Sequence, residues 1–193
     1  LADLADPAEH EALVDRAWGW RGGPSVWINN AGVDVLTSEP AGWSFERKLE
    51  ALWRVDVTAT IRLARLAGRR MQQGAGGAIL NITSMAGDNK NRRMASYGSS
   101  KAAESHLTRN IAFDLGPKNI RVNAIAPGAT RTAALEGVLT PEIEMAMLKH
   151  TPLKRIGEPS DMANAALFLC SPAASWISGQ LLTVSGGGSQ ELD

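Results

Sequence analysis

Four short apolar runs constrain this chain more than any other feature: Val26-Trp27-Ile28, Ala78-Ile79-Leu80-Asn81-Ile82, Val122-Asn123-Ala124-Ile125-Ala126 and Leu181-Leu182-Thr183-Val184. Each is largely continuous rather than alternating, and each is bounded by Gly, Pro or Ser. Strands covered on both faces read this way, whereas a strand with one wet face alternates. Helical patterns fill the intervals. Asp6 is placed to cap a helix beginning near Pro7 and carrying Leu13, Val14 and Ala17. A segment from about Ser44 to Met71 sets Leu49, Leu52, Trp53, Ile61, Leu63 and Leu66 at helical spacing. Two more run from Ser96 to Leu115, stopping at Gly116-Pro117, and from Glu158 to Leu169, ending before Ser171-Pro172. Strand and helix in alternation predict an α/β fold: a doubly wound parallel sheet with helices on both faces. The 193 residues read as one domain, without repeats or linkers.

Between Pro127 and Gly157 the rhythm breaks, with thirty residues carrying Met145, Met147, Leu148 and Leu153. Lying over the strand ends, such a segment suits a substrate lid; a plain surface helical hairpin is the alternative.

Chemistry concentrates around Tyr97, the chain's single tyrosine, four residues before Lys101 and thirteen after Ser84. On a helix, residues i and i+4 share a face, which brings the ammonium towards the ring. An unperturbed phenol, with a pKa of about 10, exchanges protons poorly at neutrality. A cation within a few ångströms lowers that value by roughly one to three pH units. The pair is then a proton donor and acceptor near neutral pH. Ser84, ending an apolar run, is placed to hydrogen-bond the oxygen that gains or loses the proton. Carbonyl reduction or alcohol oxidation follows, with a hydride carrier for the other half. A core tyrosine beside a solvated lysine is the plainer alternative.

Composition narrows the partners. Twenty basic and twenty acidic residues balance, so no charge field recruits nucleic acid or an anionic membrane, and Arg69-Arg70 and Arg92-Arg93 read as solvated pairs. No apolar run approaches the ~20 residues of a membrane span. The acidic start, Leu1-Ala2-Asp3-Leu4-Ala5-Asp6, is unlike a signal peptide, so a cytoplasmic protein is expected. Cys170 is alone and reads as a buried, inert thiol, while His10, His106 and His150 lack metal-ligand spacing. No metal site is expected.

Asn29-Asn30-Ala31-Gly32 follows the first strand, a turn that admits positive φ and close backbone approach to a ligand. Pro127-Gly128 ends the third strand, and the amides and hydroxyls of Thr130, Arg131 and Thr132 behind it suit a carboxamide. In open α/β sheets ligands bind at these strand ends. With Ser84, Tyr97 and Lys101 these motifs resemble the short-chain dehydrogenase/reductase family over essentially the full length. Thr83-Ser84-Met85-Ala86 with Asn89-Lys90-Asn91, Ala112-Phe113-Asp114-Leu115-Gly116 and Cys170-Ser171-Pro172-Ala173-Ala174-Ser175-Trp176 are similar to its bacterial 7α-hydroxysteroid-acting members.

The resemblance implies a Rossmann-like fold, NAD or NADP as cofactor with NAD favoured, and a hydroxysteroid-like alcohol or ketone as substrate. It implies that Tyr97 is the acid/base, that Lys101 tunes it and holds the nicotinamide ribose, and that Ser84 orients the substrate oxygen. Asn89 falls at a substrate contact. Asn30, Ala31 and Gly32 fall along the cofactor, Pro127, Gly128, Thr130, Arg131 and Thr132 on its nicotinamide side, and Asp3 and Leu4 at its adenine. A homotetramer or homodimer is implied, paired through the Ser44–Met71 and Ser96–Leu115 segments. Ala102, Ala103, Leu107, Ile111 and Leu115 form the expected face, unless they only cover the sheet.

Two departures stand out. The family opens with a strand, a Gly-rich turn and a helix, and nothing of the kind precedes Asp3. About two βα units of ~30 residues each are missing, so residues 1–193 read as one dinucleotide-binding domain lacking its N-terminal βαβ portion. Asp56 stands where the family has asparagine in its proton relay, and a carboxylate there opposes the tyrosine's ionisation. Reduction of a 3-oxoacyl chain or a sugar ketone is the rival within the family. A non-catalytic, truncated interaction module is the rival outside it.

Overall fold

The computed structural model of the chain describes residues 1–89 and 94–188. Lys90, Asn91 and the Arg92-Arg93 pair lie outside the described residues. Four strands, β1 (Val26–Asn29), β2 (Gly77–Ile82), β3 (Ile120–Pro127) and β4 (Leu181–Val184), form one parallel sheet in the order β1-β2-β3-β4. Register pairs Ile28 with Leu80, Leu80 with Asn123, and Ile125 with Leu182. The carboxyl ends of β1, β2 and β3 therefore align, and the loops leaving them converge.

Side chains of β2 and β3 alternate between two apolar layers. Ile79, Ile120 and Val122 pack with Ala64 and Met71 of α3 (Thr60–Met71) and Ile111 of α4 (Ala95–Leu115). Nearby, Val14 of α1 (Glu9–Gly19) packs on Ala59 and Leu63. On the opposite face Leu80 and Ile125 meet Leu169 of α7 (Pro159–Cys170). Burying a Leu or Ile this completely stabilises the fold by about 1.5–3 kcal/mol each. Both faces are covered, which is why these strands show no polar alternation.

Local chemistry sets the boundaries. The Ser44 hydroxyl accepts the Arg47 N–H to open α2 (Phe45–Leu52), and Thr140 does the same for Ile143 ahead of α6 (Pro141–Lys149). Glu158 and Asp161 form a reciprocal capping box at α7, with Pro159 in the first turn. Asp6 instead accepts the Ala8 N–H in a turn, and α1 starts at Glu9, two residues later than the capping pattern predicts.

The segment predicted as one helix from Ser44 to Met71 is helical throughout, but Trp53–Ala59 widens into a π-helical stretch between α2 and α3. Such widening rotates the following residues, and here Trp53 becomes 42% exposed while Asp56 becomes fully buried. The Pro127–Gly157 segment is a short α5 (Ala133–Glu136) followed by α6. It is tied back by the Arg131 N–H to the Gly157 carbonyl and by Arg131 to Glu144 and Glu158. Cys170 is half-buried rather than buried, and burial holds its thiol above the usual range. Among the described residues no helix is long and apolar enough to cross a membrane.

Candidate active site

A cleft of about 390 Å³ opens where β1, β2 and β3 end, a size typical of small-molecule sites. Three segments that sequence alone could only line up meet in it. The first is the turn after β2, where Ser84 leaves the strand extended and its hydroxyl accepts the Ala86 N–H at 3.2 Å. The second is the first two turns of α4, carrying Tyr97 and Lys101. The third is the π-helical stretch, carrying Asp56. The turn lies against α4 at backbone contact: a Cβ added at Gly87 would stand 2.8 Å from the backbone of Lys101 and Ala102.

Ser84, Tyr97, Lys101 and Asp56 all line this cleft, as do Asn30, Gly32, Pro127, Gly128, Thr130 and Thr132. Ala31, Asn89 and Arg131 do not. The Asn89 N–H donates to the Met85 carbonyl at the end of the Ser84 turn. Arg131 is engaged by Glu144 and Glu158 on the far side of its loop. Asp3 and Leu4 lie apart from the cleft, where Asp3 accepts the Ala5 N–H. The Leu4 carbonyl is held by His10 Nε2 at 2.9 Å. The His10 ring is fully buried, with Arg62 donating to Nδ1, so a residue that reads as ordinary in sequence anchors the N-terminal loop.

Lys101 Nζ stands 5.8 Å from the centroid of the Tyr97 ring. The lysine is only 6% exposed, and a buried ammonium needs partners. It donates to Glu104 Oε2 at 2.9 Å and to the Ile82 carbonyl at 3.4 Å, and Asp56 Oδ2 lies 3.1 Å away. That Asp56 oxygen makes the ionic contact without a hydrogen bond. Its other oxygen accepts the Val33 N–H at 3.0 Å, which ties the Asn-Asn-Ala-Gly turn to the lysine. Although burial pulls the Lys101 ammonium down, the neighbouring Glu104, Asp56 and Tyr97 outweigh it, so its pKa sits above the usual value. Lys101 therefore stays charged at every physiological pH.

Beneath the site a polar chain crosses the sheet. Trp27 Nε1 donates to Asn29, Asn29 to Asn81, Asn81 to Thr108, and Thr108 to the Glu104 carbonyl. Every buried polar group in it is satisfied, and the chain pins α4 over the strands.

A cation near a solitary phenol and a serine hydroxyl thus share one cleft at the strand ends, groups chemically able to exchange a proton with a bound oxygen. A family model described as Enoyl-(Acyl carrier protein) reductase matches residues 1–189. The 7alpha-hydroxysteroid dehydrogenase of Escherichia coli (strain K12) is 53% identical over 197 residues, covering 99% of this chain and 74% of the relative. The chain belongs to the short-chain dehydrogenase/reductase family. Another relative is a 3alpha-hydroxysteroid dehydrogenase of Mediterraneibacter gnavus, 37% identical, with 95% of this chain and 72% of the relative aligned. A solved 7 alpha-hydroxysteroid dehydrogenase, complexed with NADH and 7-oxo glycochenodeoxycholic acid, superposes with a TM-score of 0.90 at 53% identity. That match covers all of this chain and 74% of the other.

As a short-chain dehydrogenase/reductase the chain is an oxidoreductase, and its site carries one buried residue that the motif reading passes over. Glu104 follows Lys101 by three positions, on the same helical face as Tyr97. It is 2% exposed, and burial pushes its carboxyl up to about 7 despite the adjacent ammonium. The spacing was there to be read; a helical Glu at that distance from a lysine ordinarily marks a solvated pair.

Proposed function

We propose that this short-chain dehydrogenase/reductase interconverts a secondary alcohol and a ketone on a hydroxysteroid, at the 7α position, with NAD or NADP and NAD favoured. The convergence of Ser84, Tyr97 and Lys101 on one cleft carries this reading. Identity of 53% to a 7alpha-hydroxysteroid dehydrogenase supports the choice of substrate. Residues 1–193 act in it as a single dinucleotide-binding unit, in the cytoplasm.

In the oxidative direction the Tyr97 phenolate takes the proton of the substrate hydroxyl as the carbon–oxygen double bond forms. In the reductive direction the phenol returns that proton to the carbonyl oxygen. The Lys101 ammonium favours the phenolate and holds the ribose, and the Ser84 hydroxyl orients the reacting oxygen. The cleft lining fits a nicotinamide nucleoside: the ammonium of Lys101, the amide of Asn30, and the hydroxyls of Thr130 and Thr132 line it together with apolar Val33, Val35 and Ile82. When bound, that group supplies or accepts the hydride. Ala31, Gly32, Pro127, Gly128 and Arg131 shape its loops, Asp3 and Leu4 meet its adenine end, and Asn89 meets the substrate.

Two copies or four assemble in this reading. Leu107, Ile111 and Leu115 pack inward on the sheet layer, so the helix offers Phe113, 86% exposed, as its apolar contact.

The test is turnover of a panel with each nicotinamide cofactor: a 7α-hydroxy bile acid, its 7-deoxy analogue, a 3-oxoacyl thioester and a sugar alcohol. Oxidation of the 7α-hydroxy compound alone is expected. Preference for the thioester or the sugar overturns the substrate, and absence of both turnover and dinucleotide binding overturns the enzyme in favour of an interaction module.

A further inference from the structure

Glu104 is buried and does not itself line the cleft, and yet it holds the lysine on which the proposed proton chemistry depends. Its Oε2 accepts from Lys101 Nζ at 2.9 Å, and its Oε1 accepts from the Thr60 hydroxyl at 3.4 Å. Asp56 Oδ2 lies 3.1 Å from the same ammonium. One cation is thus shared by two carboxylates. With both ionised, the buried cluster carries an uncompensated negative charge, which is costly unless one carboxylate binds a proton. Tyr97, Lys101 and Glu104 occupy positions i, i+4 and i+7 of α4, one stripe of the helix with the lysine in the middle.

We infer that Glu104 is a positioning residue that governs how much of the Lys101 charge reaches Tyr97. This rests on Tyr97 being the proton-transfer group of the proposed reaction. With Glu104 protonated, the ammonium is left to Asp56 and the phenol. With Glu104 ionised, the ammonium is drawn along the helix and its field at the phenol is partly cancelled. The switch lies near neutrality, because burial pushes the Glu104 carboxyl up to about 7.

Among the described residues the charged groups facing this cluster are few. Lys101 comes from the same helix and Asp56 from the π-helical stretch. Glu46, Arg47 and Glu50 of α2 and Arg62, Arg65 and Arg69 of α3 are exposed, and Lys48 reaches the Ala41 carbonyl. Arg70 pairs with Asp15, and Arg121 of β3 donates to the carbonyls of Leu169 and Ser171. Across the cleft, Asp34 is exposed and binds Thr37.

Because Tyr97 is the only tyrosine, phenolate absorbance reads the site directly, without cofactor or substrate. In Glu104→Gln the phenolate signal is expected to develop at lower pH than in the parent chain. The pH–rate curve for alcohol oxidation should move the same way, and Glu104→Asp should restore the parent behaviour. Coincident titrations in folded parent and Glu104→Gln chains overturn the inference. A second measurement needs no variant: the infrared band of a protonated carboxyl group should vanish as pH rises through about 7. Its absence on the acid side of that value also overturns the inference. A shifted phenol titration in a chain that turns over no alcohol sinks the proposed function and leaves the coupling standing.

Discussion

Asp56 Oδ2 lies 3.1 Å from Lys101 Nζ, while its Oδ1 accepts the Val33 N–H. One side chain thus joins the Asn-Asn-Ala-Gly turn to the lysine of the proton site. The π-helical stretch turns Asp56 inward, so the unusual helix geometry and the unusual residue occur together. Asp56→Asn keeps the shape and the acceptor for Val33 while removing one negative charge near the phenol. The pH–rate profile for alcohol oxidation is expected to move to the acid side. A profile superimposable on the parent's removes Asp56 from the mechanism.

Lys101 has a structural role as well as a chemical one. Lys101→Met strands two buried carboxylates and is expected to destabilise the fold by roughly 3–5 kcal/mol near neutral pH. Adding Asp56→Asn and Glu104→Gln should recover most of that loss, because the stranded charges disappear. Urea unfolding midpoints of the single and triple variants make the comparison, and equal midpoints mean that the cluster is not electrostatically coupled.

Glu104 should also leave its mark on stability. Its carboxyl is raised from the ordinary 4.5 to about 7 in the fold, so the folded state holds the proton more tightly than the unfolded one. The stabilisation is full below about 4.5 and fades as pH rises through about 7. Its size is on the order of 3 kcal/mol. The raised Lys101 acts in another window, favouring the fold fully below its ordinary 10.5 and fading as pH rises from there through its higher folded value. The difference in unfolding free energy between the parent and Glu104→Gln should therefore slope between pH 5 and 7 and flatten outside it. A flat difference across that window contradicts the assignment.

Gly128 ends β3 against the exit of β4. A Cβ there would stand 2.8 Å from Ser185 Cβ, 2.9 Å from Ser185 Cα and 3.0 Å from the Met85 sulfur. Gly128→Ala must push apart the β4 exit and the turn that follows Ser84. A stability loss of about 1–3 kcal/mol is expected. The fall in kcat should be larger than this loss explains, since a misplacement of about 1 Å can cost about 10²-fold. Parallel thermal unfolding and steady-state kinetics separate the two effects, and a kcat within twofold of the parent's disposes of the argument.

Much of this molecule is legible in one dimension because its signals are local. Four continuous apolar runs mark the strands and the intervening periodicity their helices, although only β2 and β3 are covered on both faces: Ile28 of β1 is 47% and Leu182 of β4 38% exposed, because each lies at an edge of the sheet. The proximity of Tyr97 and Lys101 is legible from their i, i+4 spacing because helical geometry fixes that separation whatever surrounds it. Ser84 is harder, since the twelve residues between it and Tyr97 could place it anywhere; its position at the end of β2 is what the alternating pattern supplies. The loop residues split: Asn30, Gly32, Thr130 and Thr132 line the cleft, whereas Arg131 faces its glutamate partners.

Tertiary structure decided the electrostatics. Trp53 and Asp56 share a helical pattern, and only the π-helical widening turns the first outward and buries the second. His10 and Glu104 look like ordinary polar residues until packing removes their water. Residue order determined which groups this helix could bring within reach of Tyr97, because backbone periodicity is a property of the chain alone. Whether a carboxyl is solvated or sealed beside an ammonium depends on neighbours distant in sequence, and on that depends whether it is a spectator or a proton-binding group.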